Sequence, residues 1–272
     1  VVFIHIPKTG GSTLRFSLET VYGQELLFNI PRDRSYLDVI KEQREGLCKY
    51  QALTGHMRYD AVHWFHSNAV VFTFLRHPLD RTVSIYHYIK NNPKHPRHRD
   101  LNNEINNIEE FMDSDLYEPN SQVLHLAGDN REKIASEELL SLALERISND
   151  HISVGLLEYY TESLFLLHRS CDFPVYPLSL HTNKGKVSAK EDSTDERLRN
   201  QIQNHDYLDM KLFEFARKKH KEKVKQLNFP SRLHLKIFKM CYHAYQESAL
   251  FRQAWHRLLY SRFSPWRQNT NL

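Results

Sequence analysis

A short polar segment near the start of the chain, residues 7–13, contains the residue types that bind an anion. Gly10 and Gly11 allow the backbone to turn tightly and to bring N–H groups against a bound oxyanion. Lys8 adds a mobile positive charge. Hydroxyl donors are supplied by three further residues: Thr9, Ser12 and Thr13. An apolar, β-branched run precedes the segment and apolar residues at helical spacing follow it, which predicts a phosphate- or sulfate-binding turn between a strand and a helix.

Two other interpretations of this segment stay open. Ser12 could cap the helix, with the glycines serving turn geometry alone, although this explains neither Lys8 nor the adjacent glycines. A nucleotide-dependent phosphotransferase would use a similar turn, but its P-loop places the lysine after the glycines, in the order GxxxxGK[ST]. Here the lysine comes first, and no such pattern can be found through residues 7–13.

A second candidate site follows the apolar run 69–75, which predicts a buried strand. Arg76 stands at the end of that strand, and Ser84 lies in the helix predicted for residues 79–90. Open α/β sheets bind ligands at the carboxyl ends of their strands, so both motifs are expected at one edge of the sheet.

In this order the two motifs resemble those of the sulfotransferases that use 3'-phosphoadenosine-5'-phosphosulfate (PAPS), over residues 1–220. The resemblance implies that residues 7–13 bind the 5'-phosphosulfate, that Arg76 and Ser84 bind the 3'-phosphate, and that PAP is the product. Residues 154–164 are similar to the branch that holds the heparan sulfate 2-O- and 6-O-sulfotransferases and bacterial relatives. Residues 181–186 fall where that branch closes over the cofactor. The resemblance therefore implies that three of these residues contact the cofactor: Lys184, Gly185 and Lys186.

Sulfuryl transfer to a hydroxyl needs a base for the proton and positive charge at the leaving oxygen, because charge builds on both sides of an in-line displacement. Gly55-His56 resembles the segment in which the glycosaminoglycan-type enzymes carry their catalytic histidine, so His56 is the expected base. Asp60, the nearest acid, is the alternative. Lys8 is expected to stabilise the leaving oxygen as well as the phosphosulfate. No carboxylate cluster for Mg²⁺ is evident, and a metal-independent reaction is predicted.

Strands alternate with helices along the chain, which predicts an α/β fold: a mostly parallel central sheet flanked by helices, with a P-loop-like phosphosulfate-binding turn. Strands are expected within residues 1–6, 69–75 and 151–155. Helices are expected at 14–22, 79–90, 108–112, 137–147, 161–168 and 195–227, the last one broken near His205. Residues 92–100, with two prolines, are expected to form an exposed loop.

Composition separates a basic, aromatic helical extension, residues 228–272, from the rest of the 272-residue chain, and the resemblance implies that residues 1–227 form the sulfotransferase domain. The extension has seven Lys or Arg residues and one acidic residue, so its net charge is 7 − 1 = +6, and the remainder has +4 − 6 = −2. A nucleic-acid binder is disfavoured because the body is net negative and has no recognised motif. A binding module that keeps PAP and lacks turnover is a further alternative.

The expected acceptor carries a hydroxyl group, and the branch resemblance implies that it is a saccharide. If the basic loop contacts the acceptor through Lys94, Arg97 and Arg99, we expect the acceptor to be anionic. No apolar run reaches the roughly 18 residues that span a bilayer, so no transmembrane segment is predicted in this sequence. Three scattered cysteines and the absence of Asn-x-Ser/Thr favour the cytoplasm, with the Golgi lumen expected instead if a membrane anchor precedes residue 1. The sequence does not specify an oligomeric state.

Overall fold

A computed structural model describes residues 1–31, 33–43, 45–65, 68–128, 135–171, 173, 176–178, 180 and 196–257. It contains one sheet of five strands, all parallel, in the order β2-β3-β1-β4-β5. The strands are β1 (Val2–Ile4), β2 (Leu27–Asn29), β3 (Ala52–Gly55), β4 (Val71–Leu75) and β5 (Ser153–Leu156). The predicted α/β class, with a parallel sheet flanked by helices, is confirmed.

Eleven helices with complete bounds surround this sheet in the described ranges. They are α1 (Gly11–Tyr22), α2 (Tyr36–Gln43), α3 (Pro78–Lys90), α4 (His98–Glu104), α5 (Ile108–Met112), α6 (Ser121–Ala127), α7 (Glu137–Ser148), α8 (Tyr160–Ser170), α9 (Glu196–His205), α10 (Tyr207–Lys225) and α11 (Phe229–Glu247). Short 3₁₀ turns occupy Leu47–Lys49, Tyr59–Trp64 and Leu157–Tyr159, and helical residues continue from 249 to 257. The predicted break near His205 is confirmed, because α9 ends there and α10 begins two residues later.

Several short elements were not expected from the sequence. Strands β2 and β3 have three and four residues, too few to show a clear period of two. The exposed loop expected at 92–100 is wrong in its last three residues, since α4 begins at His98 and includes Arg99. Helices α2 and α6 were also missed.

The two faces of the sheet pack into separate hydrophobic clusters, as the alternation of side chains along a strand requires. On one face Val2 and Ile4 pack with Leu53 and Leu75. On the other face Phe3 packs in a cluster to which strands and helices both contribute: Ala52, Phe72, Phe74, Leu164, Phe165 and Phe238. The sheet is therefore buried on both faces. In the part of the chain that the structure describes, no helix is long and apolar enough to cross a membrane.

Candidate active site at the carboxyl edge of the sheet

The strand order brings the predicted motifs together at one edge of the sheet. Strand β1 is central, with β3 on one side and β4 on the other, and Ile4 is in register with both Gly55 and Thr73. Because all three strands are parallel, the segments that follow them leave the sheet at the same edge. The turn after β1, His56 after β3 and Arg76 after β4 are therefore neighbours.

The turn after β1 adopts a strained, tightly wound backbone. Lys8 and Gly10 have φ angles of 67° and 87°, in the left-handed region that residues other than glycine rarely adopt. The hydroxyl of buried Thr9 donates to the carbonyl oxygen of Ile6 at 2.9 Å. That hydroxyl therefore stabilises the turn itself.

Helix α1 begins directly at the end of this turn without a capping side chain. Gly10 is its N-cap residue, and no side chain accepts a hydrogen bond there, so the alternative in which Ser12 caps the helix is wrong. The first helical hydrogen bonds run from the N–H groups of Thr13 and Leu14 to the carbonyl oxygen of Gly10. No acidic residue lies in the first turn. The start of α1 thus presents N–H donors and the positive end of the helix dipole to an anion.

Close packing is a second reason, besides access of a ligand to the backbone, why glycine occupies positions 10 and 11. A Cβ atom at Gly11 would collide with the imidazole of His5, and one at Gly10 would lie 2.7 Å from Cδ1 of Leu157. Gly10 also needs its positive φ. Another residue at Gly10 would have to adopt a strained backbone, and one at Gly11 would force the ring of His5 to move.

Arg76 is held in place by its backbone and lies against the turn. Its N–H donates to Oε1 of Gln122 and its carbonyl accepts from Nε2 of Gln122, both at 3.0 Å. Its guanidinium donates to the carbonyl oxygen of Lys8 at 3.3 Å. Burial lowers the pKa of Arg76, opposed by the nearby carboxylates of Asp80 and Glu158. Among the described residues no carboxylate forms an ion pair with it at contact distance, and the half-buried guanidinium lies beside the start of α1.

Arg81, which was not singled out in the sequence, connects the turn to α6. Its side chain is 3% exposed; Nε donates to the carbonyl oxygen of Pro7 at 3.2 Å, and Nη2 donates to the hydroxyl of Ser121. No local pattern in the sequence indicates this role, because both contacts are with residues at least 40 positions away. Arg81 therefore positions the turn from a distance of 74 residues in sequence.

His56 has a defined orientation at the start of the segment after β3. Its Nδ1 lies 2.9 Å from the carbonyl oxygen of His5, and the two imidazole rings stack with centroids 4.4 Å apart. A carbonyl can only accept, so Nδ1 of the neutral ring carries the proton and Nε2 is the nitrogen able to accept one. A general base needs an unprotonated nitrogen of this kind.

A second imidazole, His125 on α6, was missed. Its Nδ1 lies 2.6 Å from the carbonyl oxygen of Ser121, which selects the same tautomer as in His56. The pKa of His125 is lowered to about 3, chiefly by burial; the hydrogen bond to Ser121 opposes the shift, and the proximity of Arg81, His56 and Arg58 adds to it. The ring is therefore neutral at pH 7. Only the tertiary structure shows that α6 reaches this cluster.

Helix α3 carries Ser84 and also contacts the side chain of Lys8. The ammonium of Lys8 lies 4.2 Å from the ring centroid of Tyr88, and half-buried Ser84 is one helical turn before that ring. Ser84 therefore faces the region that the Lys8 side chain enters. Three predicted contacts lie outside the described residues: Lys184, Gly185 and Lys186.

The remaining predicted residues are Asp60, which forms hydrogen bonds within the protein, and the basic residues of the loop, which are exposed. The hydroxyl of Tyr36 donates to both carboxylate oxygens of Asp60, at 2.8 and 3.1 Å. In the predicted basic loop the side chains of Lys94, Arg97 and Arg99 are exposed, and Nη1 of Arg97 donates to the carbonyl oxygen of Leu116 at 2.7 Å. Within the described ranges no group of three or more His, Cys, Asp or Glu residues could hold a metal ion.

Residues 1–216 match the model of the Sulfotransferase family. The match includes the turn after β1, His56, Arg76 and α6, and it covers most of the 272 residues. The chain belongs to this family, and its general activity is sulfuryl transfer. None of the curated proteins compared with the chain matches it.

Proposed function

We propose that the protein transfers a sulfuryl group from PAPS to a hydroxyl group of a saccharide acceptor, with His56 as the general base. Family membership supports sulfuryl transfer and a sulfonate donor such as PAPS. The identity of the donor as PAPS, the saccharide acceptor and the role of His56 are parts of the proposal. The resemblance to the heparan sulfate 2-O- and 6-O-sulfotransferases favours a saccharide over a small phenolic acceptor.

The observation that carries the proposal is the half-buried guanidinium of Arg76 beside the start of α1, where no side chain caps the helix. A partly buried cation that forms no ion pair at contact distance among the described residues is stabilised when an anion binds beside it. Two anion-binding groups side by side, Arg76 and the first turn of α1, fit a donor with separate 3'- and 5'-phosphate groups. Gly10, Gly11, Ser12 and Thr13 would supply backbone and hydroxyl donors to the 5'-group, and Ser84 would join Arg76.

The chain's own groups would divide the chemistry between them. Nε2 of His56 would accept the proton of the acceptor hydroxyl as that oxygen bonds to sulfur. Lys8 would stabilise the negative charge left on the bridging oxygen as its bond to sulfur breaks. The stack of His56 on His5 would keep the imidazole aligned for this transfer.

A thermal-shift experiment separates this proposal from a phosphotransferase. PAP should raise the unfolding temperature and ATP with Mg²⁺ should not, because a ligand stabilises the folded state that binds it. Stabilisation by ATP with Mg²⁺ alone would favour the phosphotransferase. Labelled PAPS with a panel of saccharides then tests turnover; PAP binding without transfer to any acceptor would favour the non-catalytic module.

Arg76→Ala tests the assignment of the two phosphate groups. The variant should weaken binding of PAP by about tenfold to a hundredfold, the cost of a lost charge-assisted hydrogen bond. Binding of adenosine 5'-phosphosulfate, which has no 3'-phosphate, should weaken less. The only expected effect on it is the loss of the hydrogen bond from Arg76 to the carbonyl oxygen of Lys8 in the turn. Ser84→Ala should show the same preference with a smaller effect. Equal weakening of both ligands would contradict the assignment.

A further inference from the structure

The outer face of α11 has an apolar stripe that no described residue covers. Phe229, Leu233, Ile237 and Met240 are spaced so that they align along one side of the helix. Their exposed fractions are 79%, 49%, 42% and 72%. Ten large hydrophobic side chains are exposed in the described part of the chain, and four of them form this outer stripe. Such a concentration marks an interaction surface.

The opposite side of the same helix already packs against the protein. Leu235, Phe238, Tyr242 and Tyr245 are buried in the cluster that contains Phe3. An ordinary surface helix has one apolar stripe toward the core and polar residues on the other side. Helix α11 has two apolar stripes, and packing within the protein satisfies only the inner one.

A row of basic side chains runs beside the outer stripe. Each member stands one residue before a member of the stripe or before Ala244: Arg232, Lys236, Lys239 and His243. All four are exposed, and only Lys239 forms an ion pair in the described residues, with Glu162 at 2.5 Å. From residue 228 to residue 257 the chain has five Lys or Arg residues and one acidic residue, Glu247. The surface around the stripe is therefore positive.

We propose that this face of α11 docks on the surface of a lipid bilayer that contains anionic lipids. Apolar side chains at the centre would enter the boundary between head groups and acyl chains, and the adjacent basic row would contact the negative head groups. A second copy of the chain fits less well. In a symmetric antiparallel pair of these helices, the basic row of one copy would face the same row of the other.

Sedimentation of the protein with vesicles tests the proposal. The protein should bind vesicles of phosphatidylcholine and phosphatidylserine mixed at roughly two to one, and added salt should weaken binding. Replacing the stripe by Leu233→Gln, Ile237→Gln and Met240→Gln should lower the partition coefficient by about tenfold or more. Replacing the charges by Arg232→Gln and Lys236→Gln should lower it by about fivefold per charge.

Tyr207→Gln is the matched control, because Tyr207 is 44% exposed on α10, away from the stripe. Its vesicle binding should equal that of the original protein. Equal binding to pure phosphatidylcholine, no binding to the mixed vesicles, or unchanged binding of the stripe variant would each overturn the proposal. A dimer in light scattering that the stripe variant abolishes, without vesicle binding, would assign the face to a second copy. The charge variant tests the proposal independently if the stripe variant fails to fold.

Discussion

His56 and His125 are oriented by the same kind of contact, an Nδ1 atom against a backbone carbonyl oxygen. The two rings nevertheless belong to different elements. His56 follows β3 and stacks on His5 beside the turn, whereas His125 lies on α6 and contributes to the environment of His56 through its proximity. A neutral ring with an acceptor nitrogen can serve as a base, and of the two only His56 is shown to contact His5, whose ring packs against Gly11 of the turn.

His56→Ala should reduce kcat by about 10²–10⁴-fold, because a lost general base typically costs that much. The affinity for PAP should stay near normal, since His56 is proposed to contact the acceptor hydroxyl. Steady-state kinetics with labelled PAPS and calorimetric titration with PAP measure the two effects. His63→Ala, an exposed residue of the same segment, is the control. A His56→Ala enzyme that keeps more than about a tenth of kcat would shift the role to Asp60 or His125.

His125 should make folding stability depend on pH in the acid range. Its pKa is lowered from 6.5 to about 3, chiefly by burial, so the unfolded chain takes up the proton first as the pH falls. The stabilisation is complete above pH 6.5 and is lost toward pH 3, with a slope of at most about 1.4 kcal/mol per pH unit. His125→Gln should flatten this acid loss in urea unfolding measured over that range. His63→Gln should leave it unchanged, and an unchanged slope in His125→Gln would contradict the account.

At the scale of elements, the site depends on α6, whose N-terminal end is held by the junction of α9 and α10. Asp206 accepts from the N–H of Asn120 at 2.7 Å, and Asp209 accepts from the N–H groups of Gln122 and Val123 at 3.1 and 2.8 Å. These contacts position Gln122 to hold the backbone of Arg76. Sequence separations of 86 and 87 residues show that this support is entirely tertiary.

Arg81→Met should destabilise the protein by about 3–5 kcal/mol, because it removes the positive charge near a buried carboxylate pair. Burial and the neighbouring Asp206 raise the pKa of Asp209 to about 7, and Arg81 opposes this shift. Asp209 is therefore mostly neutral near pH 5 and ionised near pH 8, so the loss should be smaller at about pH 5 in urea unfolding. Ser121→Ala, which removes only the hydroxyl partner of Arg81, should cost much less. An equal loss at both pH values would contradict this role.

At the scale of the whole molecule, α11 lies beyond the family match and yet contributes to the core. The match ends at residue 216, within α10. Phe238 is fully buried and packs with Phe165 at a ring distance of 5.8 Å, in the cluster that covers one face of the sheet. The boundary between residues 227 and 228 remains a prediction, but the inner face of α11 is part of the same packed body.

Phe238→Ala should lower the free energy of unfolding by about 3–5 kcal/mol, the usual cost of a large cavity. Met240→Ala, two residues later on the same helix and 72% exposed, should change it by less than about 0.5 kcal/mol. Urea unfolding of both variants provides the comparison. Similar values for the two would show that α11 does not contribute to the core in solution.

The sequence alone determined the α/β class, the position of Arg76 at a strand end and the turn of residues 7–13 before α1. Each of these follows from local chemistry: apolar periodicity, adjacent glycines and charges next to them. Tertiary structure decided which residues support the turn. Gly11 is small because the ring of His5 packs against it, and Arg81 reaches Pro7 across 74 residues. His125 joined His56 only because α6 packs at this edge. A sequence pattern records the neighbours of a residue along the chain, whereas burial, tautomer and pKa are set by neighbours in space.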